Sequence, residues 1–129
     1  MTHEEFKKFQ YDLLQEVIKM GETKGKEYAN GADRFGNFNR LSERLDLSNT
    51  KVGWVYLAKH LDAIESFIRT GETFSEESIR GRFVDSITYL TLILGMIVDN
   101  KVTHWLCPNC STIVPIIYDQ YSCGERRKN

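Results

Sequence analysis

The chain is 129 residues long, 41% of them hydrophobic and 27% charged, with 17 basic and 18 acidic side chains. That length fits one compact domain with little to spare, and those fractions exclude an intrinsically disordered chain. The near-neutral balance excludes a bulk electrostatic attraction to nucleic acid or to an anionic membrane surface.

The first segment has the apolar period of an amphipathic helix and lacks the apolar run of a secretory signal. Its apolar side chains recur three or four residues apart and form one stripe: Phe6, Phe9, Leu13, Val17 and Met20. Gly21 is the expected end of this helix, with helix resuming over residues 24–28. A loop rich in turn formers follows over 29–37, and then a short second helix over 38–45.

A long third helix is marked at both ends. Ser48 or Asn49 is placed to cap its start, and it reaches Arg69 and closes at Gly71. Its predicted core stripe is Val52, Val55, Ala58, Leu61, Ile64 and Ile68.

A fourth helix is predicted to end near Asn100. Thr73 and Glu76 have the spacing of a capping box, and Ser75 is an alternative cap. The predicted buried stripe is Ile79, Phe83, Ile87, Leu90, Leu94 and Ile97. The apolar part over 85–99 is too short and too polar for the ~20 residues that span a bilayer. We therefore expect a buried helix and no membrane partner.

Four helices joined by short connections predict an all-α antiparallel bundle over residues 1–100. After Lys101 both prolines, all three cysteines and a β-branched run over 112–118 predict a second region over 101–129. We expect a small zinc-ribbon-like β appendage with one hairpin there.

Three cysteines cannot all pair internally, so they indicate a metal and a reducing, cytoplasmic compartment. Cys107, Cys110 and Cys123 have the spacing of an incomplete pair of zinc knuckles, and His104 supplies a fourth ligand. A zinc ion held there would be structural. A degenerate ribbon with free thiols is the alternative.

The fourth helix carries Ser78, Arg82, Asp85 and Tyr89 on one face, because they are four, three and four residues apart. Asp85 lies among apolar residues, and a partly desolvated carboxylate needs a cation, a metal or several donors. It is either a salt-bridge partner of Arg82 or Lys59, or a carboxylate associated with a metal or a phosphate.

The third helix places Asp62 and Glu65 three residues apart. Two such acids form half of a Mg²⁺ site, since Mg²⁺ takes a few carboxylates together with substrate phosphates. They are equally well explained as a solvated face on which Asp62 pairs with Arg69. The loop before the second helix also holds residue types used in base and phosphate recognition, although they are ordinary in loops: Lys26, Tyr28, Asp33, Arg34, Asn37, Phe38 and Asn39.

Five short motifs occur in a distinctive order: Lys26-Glu27-Tyr28, Asn37-Phe38, Lys59-His60-Leu61, Glu77-Ser78-Ile79 and Asp85-Ser86-Ile87-Thr88-Tyr89. Over residues 24–99 this order resembles the nucleotide-modification-associated domain family of phages and bacteria. The resemblance implies a nucleotide ligand. The implied ligand-binding residues are Lys26, Tyr28, Asn37, Phe38, Lys59, Glu77, Arg82 and Tyr89.

The layout is also similar to the all-α nucleoside triphosphate pyrophosphohydrolases of the MazG and dimeric dUTPase type. That similarity implies Mg²⁺ held by Asp62, Glu65 and Asp85, and a homo-oligomer that completes the site. Arg82 stands where those enzymes have an acid, which removes a metal ligand but suits phosphate binding.

Three functions follow as hypotheses. The first is Mg²⁺-dependent hydrolysis of a nucleoside triphosphate. The second is capture of a nucleotide or nucleotide-derived signal without turnover, as in phage proteins that counter host defence. The third is a small oligomeric adaptor whose polar faces are internal salt bridges.

Overall fold

The computed structural model describes residues 1–28 and 33–100, together with the backbone of two short strands. Its elements are the helices α1 (His3–Tyr28), α2 (Gly36–Leu45), α3 (Asn49–Thr70) and α4 (Ile79–Asn100), and the strands β1 (Trp105–Leu106) and β2 (Ile113–Val114). The prediction of four helices is confirmed over 1–28 and 33–100, where the structure contains helices and no strand.

The strands β1 and β2 pair antiparallel, with Trp105 opposite Val114. By its internal contacts the chain forms two compact units, Met1–Ile93 and Leu94–Asn129. The predicted zinc ligands His104, Cys107, Cys110 and Cys123 lie outside the described residues.

Helix α1 is continuous, so the predicted stop at Gly21 is wrong. Gly21 does not have the positive φ that would end a helix there, and the hydroxyl of Thr23 donates to the carbonyl of Lys19 across that position. A glycine inside a helix lowers the free energy of unfolding by only about 1 kcal/mol relative to alanine. The continued helix brings Lys24 to Asp85, at 2.7 Å.

The ends of α3 are as predicted. The hydroxyl of Ser48 accepts from the amide of Lys51 at 3.3 Å, and Gly71 closes the helix in the left-handed conformation, with φ of 74°. The predicted caps of α4 are wrong. Helix α4 begins at Ile79, where the hydroxyl of Ser78 accepts from the amide of Gly81.

The predicted core face of α4 is also wrong, because the helix turns its polar side inward. Phe83, Leu90 and Leu94 of the predicted stripe are 43%, 50% and 57% exposed, whereas Asp85 and Thr88 are buried. Each buried polar side chain of α4 has a partner; the hydroxyl of Thr88, for example, donates to the carbonyl of Val84. Of the described helices, α4 alone is long and apolar enough to cross a membrane by length and composition, a test that core helices of soluble proteins also pass.

Helix α3 also buries a set of side chains that differs from its predicted stripe, though by less than α4 does. Val55 and Ile68 of its predicted stripe are exposed, while Leu57 and His60 are buried beside Val52. The buried apolar side chains of the described residues are Val17, Phe38, Val52, Leu57, Ile64, Val84 and Met96.

Candidate ligand-binding site

A cavity of about 320 Å³ lies within the first unit. The end of α1, the first turn of α2, the middle of α3 and the middle of α4 each contribute to its wall. Its lining residues are Lys24, Tyr28, Arg34, Asn37, Phe38, Tyr56, Lys59, His60, Asp85, Thr88, Tyr89 and Leu92. The volume is within the range of pockets that hold a small molecule, roughly 300–1,000 Å³.

One wall of this cavity is aromatic. The rings of Tyr56 and Tyr89 stack at 5.8 Å with planes 4° apart, and the His60 ring lies 5.5 Å from Tyr89. Phe38 meets both tyrosines edge-on. Edge-to-face contacts fix the ring orientations. The rings of this wall are therefore held in fixed orientations, with two of them parallel.

A buried ion pair lies beside the aromatic wall. Nζ of Lys24 donates to Oδ1 of Asp85 at 2.7 Å, and Asp85 is only 6% exposed. Burial acts to raise the pKa of Asp85, but the hydrogen bond and charge of Lys24 outweigh it and hold that pKa below its usual value. Asp85 is thus a salt-bridge carboxylate, although its partner is Lys24 rather than the predicted Arg82 or Lys59.

His60 is buried on the other side of Asp85, with its Nδ1 at 3.8 Å from Oδ2. Arg82 donates a long bond of 3.5 Å to the same Nδ1 and forms a 2.9 Å ion pair with Glu77. Burial lowers the pKa of His60, so its imidazole is neutral at pH 7. Burial raises the pKa of Tyr89, so the phenol keeps its proton.

Within the described part of the chain, one group of three potential metal ligands has its donor atoms within 4.8 Å of one another: His60, Glu77 and Asp85. This set does not fit Mg²⁺, which prefers oxygen ligands and bound water. Both carboxylates already pair with cations, Lys24 and Arg82. His60, Glu77 and Asp85 therefore do not form a Mg²⁺ site.

The three acids predicted to hold Mg²⁺ are not brought together in the single chain. Asp62 and Glu65 are exposed on α3, and neither lines the cavity nor belongs to the three-residue group. Only Asp85 is in the site. The helical turn that carries Asp62 and Glu65 presents His60 and Ile64 to the interior instead.

Six of the residues singled out in the sequence line the cavity: Tyr28, Asn37, Phe38, Lys59, Asp85 and Tyr89. Lys26 does not line it. Glu77 and Arg82 contact each other at its edge and line a separate pocket of about 200 Å³. The sequence thus predicted six of the twelve residues that line the cavity.

Two basic residues line the cavity in addition to the paired Lys24. Lys59 is exposed on α3, and Arg34 precedes α2, with its guanidinium 3.5 Å from the carbonyl of Gly21. The first turn of α2 faces the same space through Asn37 and Phe38.

Sequence reasoning missed Lys24, Tyr56 and Leu92 as lining residues, and named Arg34, His60 and Thr88 without choosing them. Tyr56 is one turn before His60, so the helical period could have placed it on the same face. Lys24 had no such signal, because its partner is 61 residues away.

Asn37 differs from the other amides of this region. Among the described residues, its Oδ1 is the only buried side-chain polar atom that has no hydrogen-bond partner. Nearby, Asn39 donates to Asp33 at 3.2 Å and accepts from Asn49 at 2.8 Å. The unpaired Oδ1 is enclosed by protein atoms, while Asn37 as a residue lines the cavity.

Comparison of the chain with protein-family models, curated proteins and solved structures gave no match. The site itself combines an aromatic wall with two basic side chains, Arg34 and Lys59.

Proposed function

We propose that this protein binds a nucleotide, or a small molecule derived from one, in the cavity between its helices. One observation carries the proposal. One cavity is lined both by the stacked rings of Tyr56 and Tyr89 and by two basic side chains, Arg34 and Lys59, that form no ion pair with the described residues. A nucleotide combines the planar ring and the anionic group that such a space recognises.

The aromatic wall accounts for the base. Stacking of a base on an aromatic side chain contributes roughly 1–3 kcal/mol and tolerates any base, because every base has a π-face. Tyr56 and Tyr89 are already parallel, so little ordering is needed when a ring docks.

The cations account for the phosphate. Arg34 can hold a phosphate through two parallel hydrogen bonds, and Lys59 adds a point charge. The first turn of α2 also lines the cavity, through Asn37 and Phe38, but its positive end is already matched by the carboxylate of Asp33, which accepts from the amide of Phe35.

Capture without turnover is the form of this function that the residues favour. The charge of Asp85 is matched by Lys24, and that of Glu77 by Arg82, so neither carboxylate is free to hold Mg²⁺. Hydrolysis of a nucleoside triphosphate is the second candidate, because Asp85 and Glu77 lie beside a cavity with phosphate-binding cations.

Calorimetric titration with mono-, di- and triphosphate nucleotides, with and without Mg²⁺, tests the proposal. We expect binding to the wild type and a loss of about 10-fold or more in Lys59→Ala, the effect of removing a charge-assisted hydrogen bond. Lys51→Ala is the matched control, since Lys51 is an exposed lysine of α3 outside this cavity. Pyrophosphate release in the same samples would identify hydrolysis. Absence of any binding below millimolar concentration would leave only the adaptor hypothesis.

A further inference from the structure

The three potential metal ligands of the first unit lie between two side-chain cations. Nη1 of Arg82 is 2.9 Å from Oε2 of Glu77 and 3.5 Å from Nδ1 of His60. Nζ of Lys24 is 2.7 Å from Oδ1 of Asp85, and Oδ2 of that carboxylate lies 3.8 Å from the same Nδ1. Each of the three ligand groups is therefore in contact with a cation that the protein itself supplies.

A bound metal ion would lie very close to both cations. The ligand atoms of His60, Glu77 and Asp85 are within 4.8 Å of one another, close enough for one ion to contact all three. A divalent ion binds carboxylate and imidazole ligands at about 2.0–2.2 Å. Bonded to the same carboxylate oxygens, it would be at most about 5 Å from Nη1 of Arg82 and from Nζ of Lys24.

The cluster is electrically balanced before any metal ion arrives. Glu77 and Asp85 contribute two negative charges, Lys24 and Arg82 contribute two positive charges, and the imidazole of His60 is neutral. A dication would add two positive charges next to the two already present. Asp85 and His60 are buried, so water and salt screen this repulsion weakly.

We propose that Lys24 and Arg82 take the place of a metal ion in this cluster, so that the protein binds its ligand without one. The two cations neutralise Asp85 and Glu77, but they cannot generate the metal-bound hydroxide that metal-dependent hydrolysis uses. The part of this proposal that concerns the ligand rests on the proposed nucleotide function. The exclusion of metal is a property of the cluster itself.

Removal of the two positive charges should open a metal site. In the double variant Lys24→Gln, Arg82→Gln the three ligand groups remain, and the cluster has two uncompensated negative charges. Glutamine still offers a hydrogen bond to each carboxylate, so the change removes charge more than it removes contact. Mn²⁺ is the suitable probe, because it favours carboxylate oxygens, whereas the cysteine thiolates over 101–129 favour softer metals.

The experiment is titration of the full chain with Mn²⁺, followed through the electron paramagnetic resonance signal of the free ion. The control variant Lys51→Gln, Arg80→Gln removes the same two charges from exposed positions of α3 and α4. We expect Lys24→Gln, Arg82→Gln to bind one Mn²⁺ about 10-fold or more tightly than the wild type and the control, because each removed cation repels a dication even at the dielectric constant of water. Addition of His60→Gln should abolish the gain.

The metal result and the nucleotide result are read separately. Unchanged Mn²⁺ affinity in the double variant, or tight Mn²⁺ binding by the wild type that His60→Gln abolishes, would overturn the exclusion of metal. If the double variant does not fold, Arg82→Gln replaces it, since the buried Lys24–Asp85 pair is then intact, and its Mn²⁺ affinity should rise by a smaller factor. An unchanged affinity in Arg82→Gln would count equally against the proposal.

Titration of the wild type with nucleoside monophosphates, in EDTA and in Mn²⁺, tests the part that concerns the ligand. We expect equal affinities in the two buffers, and tighter binding in Mn²⁺ would overturn binding without a metal. Absence of nucleotide binding in both buffers would overturn the proposed function. The exclusion of metal would then stand or fall on the Mn²⁺ titration.

Discussion

At the scale of single residues, the Lys24–Asp85 pair connects the end of α1 to the middle of α4. Breaking a buried pair from one side leaves an unpaired charge and costs about 3–5 kcal/mol. Lys24 is 37% exposed and can be rehydrated, so the cost of its isolation falls at the lower end of that range.

We therefore expect Asp85→Asn to lower the free energy of unfolding by about 3 kcal/mol. The double variant Lys24→Met, Asp85→Asn should recover part of this loss, because no lone charge remains. Glu16→Gln is the control, since it breaks the exposed Arg80–Glu16 pair, whose contribution to stability is kept small by solvent screening. Urea denaturation midpoints measure all three. Equal effects of Asp85→Asn and Glu16→Gln would contradict the structural role of Asp85.

His60 makes stability depend on pH. Its folded pKa is below the unfolded value near 6.5, so the folded state binds fewer protons than the unfolded state. The stabilisation is complete above pH ~6.5 and is lost as the pH falls through the folded pKa. Asp85 and Glu77 face the imidazole and oppose this shift, while Lys59 and Arg82 reinforce it.

We expect the melting temperature of the wild type to fall as pH is lowered from 7 to 5, and to fall less in His60→Gln. Differential scanning calorimetry at several pH values checks this. The acid transition of Asp85 does not interfere, because a lowered carboxylate pKa removes stability only at pH values below its usual range. A wild-type curve as flat as that of His60→Gln would rule out the mechanism.

At the scale of helices, local signals predicted α3 well and α4 poorly. The hydroxyl of Ser48 and the left-handed Gly71 act within four residues of their partners, so the sequence contains the whole interaction. The inward face of α4 depends on Lys24, which is distant along the chain. An apolar stripe and a polar stripe of the same helix have the same period, so periodicity alone could not decide which is buried.

Substitution by Ala should change the stability of the protein in opposite directions at Gly21 and at Gly71. Nothing lies within 4 Å of a Cβ added at Gly21, inside α1, so Gly21→Ala should stabilise by about 0.5–1 kcal/mol. Gly71 also has open space, but its φ of 74° strains any side chain. Gly71→Ala should therefore destabilise by about 1 kcal/mol. Thermal denaturation compares the two, and the same sign of change for both would contradict the assigned backbone conformations.

At the scale of the whole molecule, a large apolar area is left uncovered. Eighteen large apolar side chains among the described residues are more than a third exposed. They are spread over the four helices and their connections, and three of them, Phe83, Leu90 and Leu94, lie on one face of α4.

We propose that a second copy of the chain covers the outer stripe of α4. Phe83, Leu90 and Leu94 are seven and four residues apart, which places them on one face of the helix, and they lie opposite Asp85. Membrane binding is less well supported, because the stripe itself carries none of the basic residues typical of an interfacial helix.

Leu90→Glu should therefore convert a dimer to a monomer while leaving nucleotide affinity unchanged. Analytical ultracentrifugation measures the change, and Lys51→Glu is the control at an exposed position of another helix. A wild-type monomer, or binding of the wild type to lipid vesicles that Leu90→Glu abolishes, would refute the dimer.

Residues 101–129 provide a prediction that does not depend on the helical region. The spacing of His104, Cys107, Cys110 and Cys123 predicts about one zinc per chain, held structurally. Cys107→Ser should lower the zinc content measured by mass spectrometry and leave the melting of the helical region unchanged. Three freely titratable thiols in metal-free native protein would contradict it.

The pairing of Lys24 with Asp85 also determines how the ligand should respond to ionic strength. Because that lysine is already neutralised, Arg34 and the exposed Lys59 are the cations among the described lining residues that remain to attract phosphate from solution. Charges at a solvent-facing rim are screened over about 8 Å at physiological salt, whereas stacking on Tyr56 and Tyr89 is not. Added salt should therefore weaken the binding of nucleoside triphosphates more than that of monophosphates, and it should barely affect the binding of a nucleoside. A cell could thus change the preferred phosphate number of the ligand without changing which base is bound.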